Sequence, residues 1–212
     1  MTTPRNAATP AGGDIFDELA AVDDETTRRL HGRLVAVAER DGLLDVAYRV
    51  LDSPVGPLLV AGTAAGLVRV AYARHGHDDV LASLAGMVSP RLLEAPARLD
   101  PVARQLEEYF AGRRRGFDVP LDLRLARGFR REVLTQLREI AYGRTASYAS
   151  VASAAGHPGA ARAVGSACRT NPLPVVVPCH RVVRADGVLG EYVGGAAAKA
   201  ALLDLEERSS GR

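Results

Sequence analysis

The sequence predicts an α/β (α+β) protein in which a small antiparallel sheet with helices precedes a mainly helical C-terminal half. Three observations support this prediction. Short runs within residues 44–72 alternate apolar and polar side chains between Gly and Pro turns, as strands do. Two stretches, 24–40 and 101–111, repeat apolar residues at helical spacing. Beyond residue 128, two helical stretches flank a Gly/Pro turn, which is typical of a helix-turn-helix.

Length and composition set limits on the class of protein. The 212 residues are 47% hydrophobic, enough for one large domain or two small ones. Two cysteines are too few for a disulfide framework, and there is no long apolar run. We therefore expect a soluble cytoplasmic protein with reduced thiols and no membrane partner.

Charge is unevenly distributed along the chain. Residues 1–60 carry six Arg against ten Asp/Glu, whereas residues 104–170 carry twelve Arg against six Asp/Glu. A basic middle is consistent with a polyanionic partner, although solvated surface is the commoner explanation of any single cluster.

Residues 1–43 form an N-terminal extension in this interpretation. Residues 1–13 are Thr, Pro, Ala and Gly without periodicity, and we expect them to be disordered. A helix is predicted from about Asp24 to Arg40, with Asp41-Gly42 as its stop. A docking helix and a partner-binding segment remain equally open. The apolar residues at helical spacing are Leu30, Leu34, Val35 and Val37.

Residues 44–124 are predicted to form the N-terminal domain. Asp100 is the expected N-cap of its last helix, with Pro101 at the first helical position and Gly112 at the end. The predicted strands are Leu44–Val50, Pro57–Ala61 and Leu67–Tyr72, and the predicted helices are Asp78–Met87 and Pro101–Ala111.

Two short motifs in this domain allow more than one interpretation. Arg113-Arg114-Arg115 follows the last helix, where a phosphate contact and an exposed helix-end cluster are equally open. His75-x-His77 has no neighbouring Cys, and two histidines alone make a weak zinc site, so we predict no metal site there.

Residues 125–212 are predicted to form a helical domain. A helix runs over Gly128–Ile140, Ser147 caps a second over Tyr148–Ala155, and a third covers Ala160–Arg169 after a His-Pro-Gly turn. The third helix is rich in Ala, Gly and Ser, and over residues 160–168 Arg162 is the one long side chain. Such small residues permit either close helix packing or approach to a nucleic acid groove.

The segment from Asn171 to Val183 organises the rest of the chain. Its prolines restrict φ and favour extended neighbours, so we expect a stiff, buried stretch. It ends on Cys179 with His180 beside it, a nucleophile next to a base. An isolated Cys-His pair is more often part of a buried strand. The thiolate is the nucleophile, and on an extended backbone the two side chains point to opposite faces, so a water molecule would have to connect them.

This segment resembles the active-site signature of the O6-alkylguanine-DNA alkyltransferases. The matching residues are Pro178-Cys179-His180-Arg181-Val182-Val183, the upstream Asn171-Pro172-x-Pro174, Gly194-Gly195, and a final helix with Lys199, Leu202, Leu203 and Glu206. The similarity covers most of residues 44–207. It implies a ribonuclease-H-like N-terminal domain without catalytic work of its own, and a winged-helix-like helix-turn-helix domain carrying the site.

The resemblance implies a role for each matching residue. Cys179 accepts the alkyl group of an O6-alkylguanine, and of O4-alkylthymine, in double-stranded DNA; His180 and Glu206 complete a Cys–water–His–Glu relay. Asn171 fixes the turn, and Tyr148 donates a proton to the departing guanine. The implied DNA-binding residues are Arg162, Tyr148, Ala161, Gly165, Ser166 and Arg169. The implied substrate-pocket residues are Val182, Tyr192, Val193 and Pro174, with the backbone carbonyls of Cys179 and Val182 reading the guanine amine.

The same resemblance implies single-turnover chemistry without a cofactor, because no second nucleophile removes the alkyl group from Cys179. It also implies a monomer, with cooperative binding along DNA left open. Two residues depart from the family pattern: Glu191 introduces an acid beside Tyr192, and Leu134 stands where tryptophan is common. A structural zinc found in some members would need cysteines that are absent here, so no metal is predicted.

Three other functions fit parts of the sequence. A non-enzymatic sensor that binds alkyl lesions would lack the cysteine, which is present. A helix-turn-helix transcription regulator would bind a specific operator. A Cys-His-Asn hydrolase would turn over an ester or a peptide.

Overall fold

The structure, a computed structural model, describes residues 23–210. The predicted disorder of residues 1–13 lies outside this range. The elements in chain order are α1 (Asp24–Arg40), β1 (Val46–Leu51), β2 (Leu58–Thr63), β3 (Gly66–Tyr72), α2 (His77–Met87), β4 (Leu92–Glu94), α3 (Asp100–Phe110), α4 (Phe129–Leu137), β5 (Ala146–Ser147), α5 (Tyr148–Ala154), α6 (Ala161–Arg169), β6 (Val182–Val183) and α7 (Ala196–Ser210).

Helix α1 has the bounds that the sequence predicted. Asp23 caps it by accepting a hydrogen bond from the Thr26 backbone N–H, and the chain leaves it at Asp41. Ala38 is buried in the core, and the imidazole of His31 contacts the Glu94 carbonyl oxygen. The helix therefore packs on the N-terminal domain along one side. Its apolar residues Leu30, Leu34 and Val37 remain exposed.

The N-terminal sheet is mixed, in the order β3-β2-β1-β4. Strands β1, β2 and β3 pair antiparallel, as predicted. The sheet has a fourth strand that the sequence did not predict, and it makes the sheet mixed, because β4 pairs parallel to β1. Helix α2 lies between β3 and β4 and carries the chain across the sheet, which a parallel pairing requires.

The predicted cap of α3 is also wrong. Asp100 is the first helical residue, Leu99 precedes it as the N-cap, and no side chain caps the helix. A 3₁₀ turn over Pro96–Leu99 runs directly into α3, so the backbone is already helical at this point. The Asp100 carboxylate instead accepts a 2.7 Å hydrogen bond from Arg49.

The C-terminal half is mainly helical. Ser147 caps α5 by accepting a hydrogen bond from the Ser150 backbone N–H, as predicted. Helices α5 and α6 form the predicted helix-turn-helix, while α4 ends three residues before the predicted Ile140. The short strands β5 and β6, which the sequence did not reveal, pair parallel and tie the start of α5 to the end of the Cys179 segment.

The two halves share one hydrophobic core. Buried residues from the sheet and from α3, α4 and α7 form a single cluster. The edge of β3 is bonded to the C-terminal half, since the Val70 N–H donates to the Pro172 carbonyl oxygen at 2.8 Å. The predicted domain boundary between residues 124 and 125 therefore stays a prediction.

Two of the three arginines in the 113–115 cluster have partners within the chain. Arg114 pairs with Glu108 and Asp118, and Arg115 donates to the Ser209 carbonyl oxygen. Within residues 23–210, no group of three or more His, Cys, Asp or Glu side chains is arranged to hold a metal ion. None of the helices in the same range combines the length and the apolar character needed to cross a membrane.

Candidate active site

The segment between α6 and Cys179 is a buried turn, and the predicted extended backbone is wrong here. The side chain of Asn171 folds it: Oδ1 accepts from the Leu173 N–H at 2.9 Å, and Nδ2 donates to the Val177 carbonyl oxygen at 3.0 Å. Val175 adopts a φ of 71°. This conformation is unusual for a β-branched residue and persists because the surroundings hold it.

Cys179 begins a 3₁₀ turn that extends to Arg181, and its side chain is only 2% exposed. The Nδ2 group of Asn171 donates to Sγ at 3.0 Å. Burial raises the pKa of the Cys179 thiol to about 11, while the Asn171 hydrogen bond and the charge of Lys199 lower it only in part. The thiol is therefore protonated at neutral pH and needs a base to react.

His180 lies beside this thiol with one ring nitrogen engaged. Its Nε2 atom is 2.9 Å from Oε1 of Glu206, and both side chains are buried. A carboxylate accepts, so Nε2 carries the proton and Nδ1 is the basic nitrogen. The Nδ1 atom is buried without a hydrogen-bond partner, so the ring makes no direct hydrogen bond to Cys179. This separation arises in a 3₁₀ turn and not, as the sequence suggested, on an extended strand.

Glu206 is the most heavily bonded side chain of the site. Arg181 donates to it through Nε and Nη2, each at 2.9 Å, the Tyr109 hydroxyl donates at 2.7 Å, and the Gly143 N–H donates at 3.0 Å. Burial alone would raise the pKa of Glu206, but the hydrogen bonds from His180 and Arg181 outweigh it and hold the pKa at about 2. The carboxylate is thus ionised at neutral pH, and it is not an exposed charge of the C-terminal tail.

Three further residues contribute to the site, and the sequence had assigned a role to none of them: Arg181, Lys199 and Tyr109. Arg181 and Lys199 lie in the matched motifs, and Lys199 is the only lysine of the chain. Lys199 is fully buried, and its Nζ donates to the Val182 carbonyl oxygen at 2.6 Å. Tyr109 had no sequence signal beyond an apolar position on α3.

The residues predicted to form the substrate pocket differ in their surroundings. The Tyr192 hydroxyl lies 2.9 Å from the hydroxyl of Tyr72, a residue of β3, and its ring meets the His180 ring edge-on. Pro174 is buried in the turn, and Val193 packs against the main core.

The two backbone carbonyls predicted to read the guanine amine already have one donor each. The Cys179 carbonyl oxygen accepts from the Val182 N–H, and the Val182 carbonyl oxygen accepts from Lys199. A carbonyl oxygen has two lone pairs, so each retains one acceptor position.

The residues predicted to bind DNA lie together along one open groove. This groove contains side chains from both helices of the helix-turn-helix and from the loop before Tyr192. Its lining residues are Tyr148, Ala161, Arg162, Gly165, Ser166, Arg169, Arg184, Gly190 and Glu191. The first six were predicted. Glu191 is exposed among three arginines and forms no ion pair within the described part of the chain.

Cys168 is buried near the end of α6, where it is a small side chain of the core. Burial raises the pKa of its thiol well above the usual range. Leu134, at the position where tryptophan is common, is fully buried in the main core.

Known families match both halves of the chain. Residues 46–123 match the 6-O-methylguanine DNA methyltransferase, ribonuclease-like domain, and residues 128–208 match the 6-O-methylguanine DNA methyltransferase, DNA binding domain. The chain belongs to the 6-O-methylguanine DNA methyltransferase family. The match extends over Cys179, His180 and Glu206, and it confirms the resemblance found in the sequence.

Two relatives in this family are similar to this chain over about three quarters of its length. The methylated-DNA–protein-cysteine methyltransferase of Mycobacterium tuberculosis is 43% identical over 76% of this chain and 93% of its own length. The protein of the same name from Methanosarcina acetivorans is 39% identical over 75% of this chain and 97% of its own length.

Solved structures confirm the fold. The O6-methylguanine methyltransferase of Mycobacterium tuberculosis aligns with a TM-score of 0.67 at 40% identity, covering 77% of this chain and 94% of that one. The crystal structure of Mycobacterium tuberculosis OGT in complex with DNA aligns with a TM-score of 0.65 over the same shares.

Proposed function

We propose that this protein repairs DNA by moving the alkyl group of an O6-alkylguanine onto Sγ of Cys179, once per molecule. The observation that carries the proposal is the arrangement of Cys179, His180 and Glu206. A buried thiol lies next to an imidazole whose Nε2 is bonded to an ionised carboxylate and whose Nδ1 is unpartnered. That arrangement activates a cysteine as a nucleophile.

In the proposed reaction, His180 takes the thiol proton through a bridging water molecule. Glu206 stabilises the imidazolium that forms, and Asn171 donates to the developing thiolate. The positive charge of Lys199 acts in the same direction, because it lowers the pKa of Cys179. The thiolate then attacks the alkyl carbon, the carbon–O6 bond breaks, and a thioether forms.

The departing guanine takes a proton from the Tyr148 hydroxyl, and the proton that His180 removed from the thiol returns through solvent to Tyr148, so that both side chains end neutral. Burial raises the pKa of Tyr148, so this hydroxyl is protonated and able to donate at neutral pH. The carbonyls of Cys179 and Val182 accept hydrogen bonds from the guanine amine, while Tyr192, Val193 and Pro174 form the rest of the pocket. The same pocket takes O4-alkylthymine.

A base inside the duplex cannot reach a thiol that is 2% exposed, so the target nucleotide must leave the stack, at a cost of a few kcal/mol. In this proposal α5 and α6 enter the minor groove and Arg162 fills the gap left in the stack. The small residues Ala161, Gly165 and Ser166 let the backbone of α6 approach the DNA, and Arg169 contacts phosphate. The protein acts as a monomer and needs no cofactor.

The test is the intact mass of the protein after incubation with a duplex carrying one O6-methylguanine. A gain of one methyl group, about 14 Da, that peptide mapping places on Cys179 and not on Cys168 is the expected result. The same duplex with an unmodified guanine serves as the control. Tight lesion binding without a gain in mass would instead indicate a damage sensor, and the absence of both would refute the repair function.

Replacing Glu191 with glutamine should strengthen binding to undamaged duplex DNA. Removing a negative charge among Arg162, Arg169 and Arg184 removes repulsion from phosphates worth about 1 kcal/mol, or about 5-fold in Kd at low salt. Fluorescence anisotropy over a series of salt concentrations measures the effect. Asp204→Asn, an exposed substitution outside the groove, is the matched control. Equal affinities for Glu191→Gln and Asp204→Asn would place residue 191 away from the DNA.

A further inference from the structure

We propose that Tyr109, a residue of the N-terminal domain, is a positioning residue for the His180–Glu206 pair and sets the pH range in which His180 acts as a base. This inference rests on the proposed function of Cys179. It assigns part of the active site to a domain that the sequence resemblance leaves without catalytic work.

The first step of the argument is geometric. Tyr109 lies on α3, and its side chain is completely buried. Its hydroxyl donates to Oε1 of Glu206 at 2.7 Å, and the hydroxyl oxygen lies 3.4 Å from Nε2 of His180. Oε1 therefore receives the Tyr109 hydroxyl and the His180 N–H together. No other residue of the N-terminal domain within the described part of the chain bonds to either side chain.

The second step concerns how firmly the hydroxyl is held. The Tyr109 ring packs against Phe110, Phe117 and Tyr142 at centroid distances of 5.4, 5.2 and 6.0 Å. Burial, with the nearby charge of Glu206, raises the pKa of Tyr109 far above neutrality, so the hydroxyl is always a donor. The ring is thus a rigid support that delivers one hydrogen bond to one carboxylate oxygen.

The third step is electrostatic. A hydrogen bond donated to Oε1 disperses part of the carboxylate charge that would otherwise stabilise the imidazolium of His180. The other groups that face His180 are Arg181 and Lys199, whose charges lower its pKa, and the neutral hydroxyl of Tyr192. Because burial also lowers the pKa of His180, the ring is neutral and basic at physiological pH. The hydrogen bond from Tyr109 to Glu206 helps to keep the His180 ring neutral.

The test compares Tyr109→Phe with Tyr142→Phe. Both remove one hydroxyl from the same aromatic cluster, but the Tyr142 hydroxyl is buried and forms no hydrogen bond, whereas the Tyr109 hydroxyl donates to Glu206. The first readout is an NMR titration of His180 in the free protein, with its signals assigned by their loss in His180→Gln. The second is the pH dependence of the single-turnover rate of methyl transfer from an O6-methylguanine duplex.

In Tyr109→Phe we expect the His180 titration, and the acid limb of the rate profile with it, to move up by about half to one pH unit. We also expect the rate at neutral pH to fall about 10-fold, because the carboxylate is less firmly oriented. Tyr142→Phe should leave both unchanged.

An unmoved His180 titration in a folded Tyr109→Phe protein would overturn the proposal, even if the rate falls equally at every pH. The titration involves no DNA. A shifted titration in a protein that never accepts a methyl group would therefore retain the role of Tyr109 in setting the His180 pKa and refute only the proposed function.

Discussion

Replacing Cys179 with serine should abolish alkyl transfer, slowing it by at least ~10³-fold. A hydroxyl is a much weaker acid than a thiol, so the neutral imidazole of His180 cannot supply enough of the anion. The fold should survive, because serine is nearly the same size and the Asn171 Nδ2 group can donate to its Oγ in place of Sγ. Binding to a duplex with an O6-methylguanine should therefore persist.

Intact-protein mass spectrometry and anisotropy on the same samples check both parts of this expectation. Cys168→Ala is the matched control, since it removes the other buried thiol and should transfer at the rate of the unmodified protein. A methyl group found on the Cys179→Ser protein would mean that another side chain, Cys168 first of all, accepts it.

Replacing Glu206 with glutamine should have two large effects. It leaves Arg181 buried without its counter-ion and forces an amide N–H₂ group against donors, so we expect a loss of about 3–5 kcal/mol in the free energy of unfolding. It also removes the charge that orients His180, so transfer should slow about 10- to 100-fold. Denaturant unfolding and single-turnover kinetics measure the two effects. Glu207→Gln, on the exposed side of α7, is the control.

The pH dependence of stability follows from the same carboxylate. The pKa of Glu206 is about 2 in the folded protein against an ordinary value of 4.5, which corresponds to about 3 kcal/mol in favour of the folded state. Because the folded-state pKa is depressed, this contribution is complete above pH 4.5 and is lost as the pH falls through 2. The difference between the unmodified protein and Glu206→Gln should therefore shrink on acidification. A difference that stays constant down to pH 2 would contradict this account.

Local patterns predicted most of the fold. The bounds of α1 followed from helical spacing and the Asp41-Gly42 stop, and the first three strands from alternation between turns. Ser147 identified the start of α5, because a cap acts on residues three positions away. Strand β4 escaped prediction: it has three residues, and its pairing with β1 joins segments 46 positions apart. The prediction that Asp100 caps α3 was wrong for a related reason, since the preceding 3₁₀ turn and the distant Arg49 decide the environment of Asp100.

The sequence by itself determined the family, because the matching residues lie in contiguous motifs. The same motifs gave the proposed nucleophile Cys179, the proposed base His180 and the proposed DNA-binding surface on α6. The sequence did not determine the turn that presents Cys179, where the side chain of Asn171 overrides the preference of valine for extended backbone. Nor did it determine what holds Glu206. Arg181 and Tyr109 lie 25 and 97 positions from that carboxylate along the chain, and only the core shared by the two halves brings a hydroxyl of α3 to a carboxylate of α7. Contacts of that range depend on the whole core, which no local pattern encodes.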